Sequence, residues 1–237
     1  MVAARWRGVL DKCLNKNRSD VTSRYLQFAT VGKDGFPSNR TVVFRGFCEV
    51  TSGDDAKEVG ESGDEKRRDG GGDGAFFSPT SAISGDGDSA LYFITDGRSE
   101  KVEEIGREGG VAEACWYLPI TREQFRIRGD VHLVNAESEA SGRYQLSVRR
   151  EEVWQRMSES ARAQFAWPAP GSARCGDEEF ASSSSQIDEK VPLPNFLLMV
   201  LLPTRVDHLQ LKPKPNLRTI HTFGSASQQW EEREVNP

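Results

Sequence analysis

The sequence predicts a mainly β protein, an antiparallel sheet closed into a barrel with a few flanking helices. Three observations predict it. Short apolar runs with β-rich composition recur along the chain and are bounded by turn signals. Helical periodicity is confined to a few places. No strand–helix–strand alternation of the kind that builds a parallel sheet is present.

The elements follow in order. Trp6, Val9, Leu10, Cys13 and Leu14 fall at i, i+3, i+4, i+7 and i+8, the apolar stripe of a helix packed on a core. Residues 24–31, RYLQFATV, alternate. GKDG (32–35) is a tight-turn signal, and NRTVVFRGF follows, so the pair reads as an antiparallel hairpin. Strand periodicity places Arg40, Val42 and Phe44 on one face and Thr41, Val43 and Arg45 on the other.

From 51 to 88 the composition shifts to Gly, Asp, Ser, Glu and Lys, with GGGDG at 70–74 and one aromatic pair, Phe76-Phe77. Such a stretch buries too little apolar area to offset its ordering entropy, so it reads as a flexible insertion between two core strands. ALYFITDGRSEKVEEIGR (90–107) opens as a strand, turns at Asp96-Gly97 and continues as a short helix through Val102 and Ile105. VAEACWYLP (111–119) and EQFRIRGDVHLV (123–134) read as two more strands. Between Ser147 and Trp167 the period becomes helical, with Trp154, Met157, Ala161 and Phe165 on one side, until PAPG (168–171) stops it. A second polar, Ser-rich insertion covers about 172–190. NFLLMVLLPTRVDHLQL (195–211) holds one or two strands, and Trp230–Pro237 reads as a tail.

With 237 residues, 36% of them hydrophobic, the chain has enough apolar material for a real core. A core hairpin before the first insertion and a core strand after it argue for a single domain over 1–237. A net charge of -5 argues against a nucleic-acid partner. The longest apolar run, Phe196–Leu202, is far shorter than the roughly 20 residues of a membrane helix, so no membrane partner is expected. Cys13, Cys48, Cys115 and Cys175 are scattered, with no CxxC and no nearby histidine pair, so no metal site is expected. Free thiols point to a reducing compartment, taken as the cytoplasm, with organelle import left open.

No nucleophile motif, metalloprotease motif or phosphate-cradling glycine loop occurs. His132, His208 and His221 lie far apart, and the first two fall in expected strands as hydrogen-bonded core residues. What remains is a set of cations and hydroxyls at strand ends and one helix start: Arg40, Thr95, Arg98, Ser99 and Lys101. Together they could bind a phosphate monoester; separately they are solvated surface groups. Arg40 to Arg45 spans about 17 Å as a strand, comparable to the length of a mononucleotide.

RTVVFRGF, LYFITDGRSEKVEEI and WYLPITREQFRIRGDVHLV, in that order, resemble three segments of the pyridoxamine 5'-phosphate oxidase-like, FMN-binding split-barrel family. WQRMSESARAQFAWPAPG and NFLLMVLLPTRVDHLQLKPKPNLR, with the closing W and VNP, resemble a subgroup known only as an FMN-binding domain. The resemblance implies an antiparallel Greek-key split barrel, FMN as cofactor and a homodimer with FMN at the subunit interface. It implies that Arg40 binds the FMN phosphate, that the backbone of Thr41, Val42, Val43 and Phe44 lies along the isoalloxazine ring, and that Arg45 sits near its edge or the substrate. Ile94 and Thr95 fall on a Tyr-Thr pair of the family, Ser99 and Lys101 on its Ser-Arg-Lys, with Lys101 a second phosphate ligand. Gln124 would hydrogen-bond the flavin, Arg218 would match a late cofactor arginine, and Arg162 is a candidate for substrate phosphate.

Two departures stand out. Glu100 occupies the place of a phosphate-binding arginine, so it must point away or Arg98 must substitute. The late Arg-Leu-His run of the true oxidases is replaced by KPKPNLR, and the tryptophan before it by Leu209. The activity implied is an FMN-dependent oxidoreductase of the pyridoxamine/pyridoxine 5'-phosphate oxidase type, with a B6 vitamer phosphate as the small-molecule substrate. The alternative is a non-catalytic flavin- or haem-binding split barrel. Flavin chemistry needs no acid–base pair, so no catalytic side chain is singled out.

Overall fold

The computed structural model describes residues 4–48, 89–106, 110–137, 146–182 and 187–237. The expected insertion at 51–88, with Phe76-Phe77, lies outside the described residues.

The fold is the antiparallel split barrel. Helix α1 (Arg5–Lys16) buries Trp6, Leu10 and Cys13, the stripe read from the sequence. Asn17 ends it and ties it down. Its side-chain amide donates to Cys13 O (2.8 Å) and Thr121 Oγ1 (3.1 Å), and its Oδ1 accepts from Ile120 N (2.8 Å). Strands β1 (Tyr25–Val31) and β2 (Pro37–Val43) form the hairpin, in register from Tyr25↔Val43 to Val31↔Pro37. Gly35 supplies the positive φ (82°) of its turn.

The chain then changes partners. Phe44 N still donates to Arg24 O (2.8 Å), but Arg45 N donates to Tyr92 O (3.1 Å). Strand β3 (Gly46–Phe47) therefore pairs with β4 (Leu91–Asp96). β4 pairs with β7 (Phe196–Gln210), β7 with β6 (Glu123–Val134), β6 with β5 (Gly110–Leu118), and β5 with β1. The β2–β3 segment is thus the seam that closes the ring. A bulge at Arg128/Gly129 bends the long β6–β7 pair, and the backbone of Leu202 crosses close over Gly129.

The barrel interior is apolar. Phe28, Phe93, Trp116, Phe125 and Ile127 are fully buried. Each such side chain stabilises the fold by about 1.5–3 kcal/mol. Trp116 also satisfies its indole N–H on Ser23 O (2.8 Å). A second cluster, including Trp154, Phe165, Phe196 and Leu198, lies on the other side of the β4–β7 layer, under helices α3 (Leu146–Gln155) and α4 (Glu159–Ala163).

Three expectations change in detail, and the choice of one or two strands near the end is settled. The helical stretch from Ser147 is two helices, because Ser158 caps α4, its Oγ accepting from Ala161 N (3.3 Å). The apolar run near the end is one strand, β7. The expected tail is strand β9 (Gln229–Val235), which pairs with β8 (Leu217–Gly224), and Trp230 packs on Trp6 at 5.6 Å. The second insertion carries a helix, α5 (Asp177–Ser182). Among the described residues, no helix is long and apolar enough to cross a membrane.

Candidate functional site

The seam strand, the end of β4 and helix α2 (Glu100–Ile105) line one side of a cleft of about 670 Å³. The other side comes from α4 and residues 165–180. Of the residues singled out in the sequence, Arg40, Thr41, Val42, Val43, Arg45, Ile94, Thr95 and Lys101 border this cleft. Arg40 and Lys101, from separate segments, therefore share one opening.

Lys101 Nζ donates to Thr95 Oγ1 (3.1 Å) and Ser99 Oγ (3.0 Å), neither of them a counter-charge. Desolvation, followed by the nearby Arg40 charge, holds its ammonium below the ordinary lysine value. Arg40 is held differently. Its Nη2 donates to Glu104 Oε2 at 2.6 Å, and its Nη1 donates to Thr30 Oγ1 and the carbonyls of Phe28 (3.4 Å) and Ser38 (3.3 Å). Arg45 is exposed at the cleft, and partial desolvation lowers its pKa. The Phe44 ring points into the barrel, at 4.8 Å from Trp116 and 4.9 Å from Phe47, so only its backbone can serve a ligand.

The departures seen in the sequence have a structural answer. Glu100 is exposed and does not border the cleft. Arg98 does not substitute for a phosphate ligand, because its guanidinium is committed elsewhere. It makes a two-point pair with Asp96 (Nε–Oδ1 3.0 Å, Nη2–Oδ2 2.7 Å) and donates to the carbonyls of Trp167 (3.0 Å) and Phe165 (3.2 Å). Asn195 joins the same group, bonding Asp96 Oδ2 (3.0 Å) and Phe165 O (2.8 Å). This latch fixes the far wall of the cleft to the end of β4. Burial pushes the Asp96 carboxyl up, but the bonds from Arg98 and Asn195 outweigh it and the group stays below its ordinary value.

Besides Phe44, the singled-out Ser99, Arg162, Gln124 and Arg218 do not border the cleft; Ser99 is buried and meets it only through its bond from Lys101. Arg162 donates to Met157 O (2.6 Å) and Trp154 O (3.4 Å), joining α4 to the end of α3. Gln124 lies on β6 between Tyr117 and Leu209, and Leu209 pairs with Arg218 on β8. These four residues form one cross-strand row on the outer face of the sheet. Arg218 is paired there with Asp207 through two bonds (2.9 and 2.7 Å).

The pyridoxamine 5'-phosphate oxidase, FMN-binding domain family matches residues 3–135, more than half of the chain. The chain belongs to this family. An Arabidopsis thaliana protein named pyridoxine/pyridoxamine 5'-phosphate oxidase 2 is 30% identical over 235 residues, covering 99% of this chain and 98% of the relative. The crystal structure of a pyridoxamine 5'-phosphate oxidase-related, FMN binding protein from Nostoc punctiforme PCC 73102 is 37% identical, with a TM-score of 0.75 over 99% of this chain and 98% of that one. PhzG from Burkholderia lata 383, 15% identical with a TM-score of 0.66 over 97% of this chain and 91% of that one, shares the fold. FMN is the cofactor this oxidase-type domain binds.

Sequence reasoning missed the far wall. Trp167, Arg174 and Phe180 border the cleft, with Trp167 and Phe180 in edge contact at 5.6 Å and the Arg174 guanidinium 4.4 Å from the Phe180 centroid. The signal was the aromatic content of FAWPAPG and of EEF; the first was read as the end of a helix and as part of the family resemblance, the second as part of a polar insertion. Glu104 was missed as well, since a second glutamate stands beside it on the same short helix.

Proposed function

We propose that the cleft holds FMN, with its phosphate on Arg40 and Lys101, and that the chain is an FMN-dependent oxidoreductase of the pyridoxamine/pyridoxine 5'-phosphate oxidase type. The observation that carries this reading is the convergence of two cations on one cleft, one of them lacking a direct carboxylate partner among the described residues. Two like charges brought together at a loss are stabilised when a dianion sits between them. The donor set fits a phosphate monoester, with the hydroxyls of Thr95 and Ser99 beside the ammonium. The cleft volume lies within the roughly 300–1,000 Å³ of small-molecule sites.

When bound, flavin supplies the redox step, taking a hydride from the substrate carbon that bears the amine or alcohol and passing the electrons to O₂. The chain contributes position. Residues 41–43 offer backbone and aliphatic surface to a flat ring, Arg45 offers a cation at its border, and Trp167 with Phe180 offers an aromatic wall to a planar substrate such as a B6 vitamer phosphate. Val111 and Tyr117, both exposed, share the outer face with Gln124 and Arg218. We assign that face to a second copy of the chain, which would carry the two residues to its partner's cleft. We read the whole chain as one FMN-binding unit, because β7, beyond residue 135, completes the ring between β4 and β6. The four free cysteines fit a reducing compartment such as the cytoplasm.

The test is the visible absorbance of the purified protein, followed by titration with FMN. The wild type is expected to carry or take up flavin, and Arg40→Ala with Lys101→Ala to lower its affinity at least about 100-fold, since each charge-assisted bond contributes about 1.5–3 kcal/mol. A colourless protein that takes up no added FMN overturns the reading. Flavin bound without oxidation of pyridoxamine or pyridoxine phosphate reduces it to a non-catalytic flavin carrier.

A further inference from the structure

We infer that Glu104 is the positioning residue of the phosphate site, holding Arg40 aimed at the ligand and offsetting one of the two cations until the ligand arrives. This rests on the flavin reading above and adds to it a residue outside the cleft lining.

The Glu104 side chain is 4% exposed, and that of Arg40 is 22% exposed. One carboxylate oxygen, Oε2, accepts from both Arg40 Nη2 and the Thr30 hydroxyl. The Thr30 hydroxyl in turn accepts from Arg40 Nη1, so arginine, threonine and glutamate close a three-membered ring of bonds. A guanidinium has five N–H donors. Nη1 is used up on Thr30 and two backbone carbonyls, and one Nη2 proton on Glu104. Nε and the second Nη2 proton have no acceptor among the described residues. They are what Arg40 can offer to a phosphate, in a direction set by the bonds behind it.

Two consequences follow. An arginine already fixed in its bound rotamer loses little side-chain entropy when the ligand seats. The buried carboxylate also screens Lys101 from Arg40, and its negative charge favours the protonated ammonium. Burial alone would push Glu104 up, but the bonds from Ser38, Thr30 and Arg40 and the Arg40 charge hold it below its ordinary value, so it stays ionised at neutral pH. Glu103, its neighbour, is exposed and among the described residues pairs with Lys33 at 3.5 Å, away from Arg40, which makes it the natural control.

The experiment compares equilibrium affinities for FMN and for riboflavin, which lacks the phosphate, in the full-length protein. Glu104→Ala is expected to weaken FMN binding on the order of 10- to 100-fold, the range seen when an outer-shell partner of a metal ligand is lost. Riboflavin binding should stay within about twofold, because the ring site is untouched. Glu104→Gln keeps the acceptor and should restore most of the FMN preference, while Glu103→Ala should leave it at the wild-type value. If the alanine variant does not fold, Thr30→Val removes one member of the ring and should shift the same ratio in the same direction by a smaller factor. An FMN-to-riboflavin preference unchanged in Glu104→Ala, or unchanged in Thr30→Val where the alanine variant does not fold, overturns the inference, as does an equal loss for both flavins. Wild-type protein that binds no FMN sinks the flavin reading itself and this inference with it.

Discussion

At the residue scale, the most informative group is the ammonium of Lys101. Desolvation and then Arg40 lower its pKa, so the folded chain releases this proton at a lower pH than the unfolded chain does. The resulting penalty on folding is fully present at neutral pH and fades as pH rises through the folded value toward the ordinary one. A bound phosphate reverses the sign by favouring the protonated form. The thermal stabilisation given by FMN should therefore be largest near neutral pH and decline as pH rises toward, and before it reaches, the ordinary lysine range. Melting curves with and without FMN across that range check this, and Lys101→Met should flatten the profile. The cations of the candidate site were legible as charged residues in a strand and at a helix start, although Arg40 lies in the middle of β2 rather than at its beginning, as the sequence suggested. Their partners were not. Arg98 and Lys101 look equivalent in GRSEK, yet Asp96 and two carbonyls from the segment after α4 claim the first and leave the second to the cleft. Only the fold could bring residues 165–167 to that place.

At the element scale, the bulge in β6 is the point of least tolerance. A Cβ on Gly129 would lie 1.9 Å from Leu202 O, which is backbone and cannot swing aside. Gly129→Ala should cost at least about 2–3 kcal/mol, read as a lowered urea midpoint with an unchanged slope. The hairpin β1–β2 was legible because β1 alternates in burial and a turn signal follows it, and β5 and β6 were legible as two strands because each alternates, though their pairing was not read. The β8–β9 hairpin was not legible. β9, QWEEREV, is almost wholly exposed, and its charges hide the alternation. What makes it a strand is the unpaired edge of β8, along with Trp6 waiting for Trp230, and neither can be read locally. The α3–α4 break was half legible, since Ser158 is a capping residue inside an otherwise continuous apolar period.

At the scale of the whole molecule, stability is concentrated where the ring closes. Phe93, fully buried on β4, packs edge-on against Phe28 at 5.7 Å across the barrel. Phe93→Ala should cost about 3–5 kcal/mol, a large part of the 5–15 kcal/mol typical of a folded domain, and a chemical denaturation curve measures it. The seam beside it is a single stretch of backbone, 40–47, that bonds β1 with one half and β4 with the other. The same stretch borders the cleft. Whatever lodges there braces the staves of the cylinder at their joint, so loading and integrity are one equilibrium rather than two. A cell short of the small molecule would then hold less of the protein, because the empty form unravels and is degraded sooner.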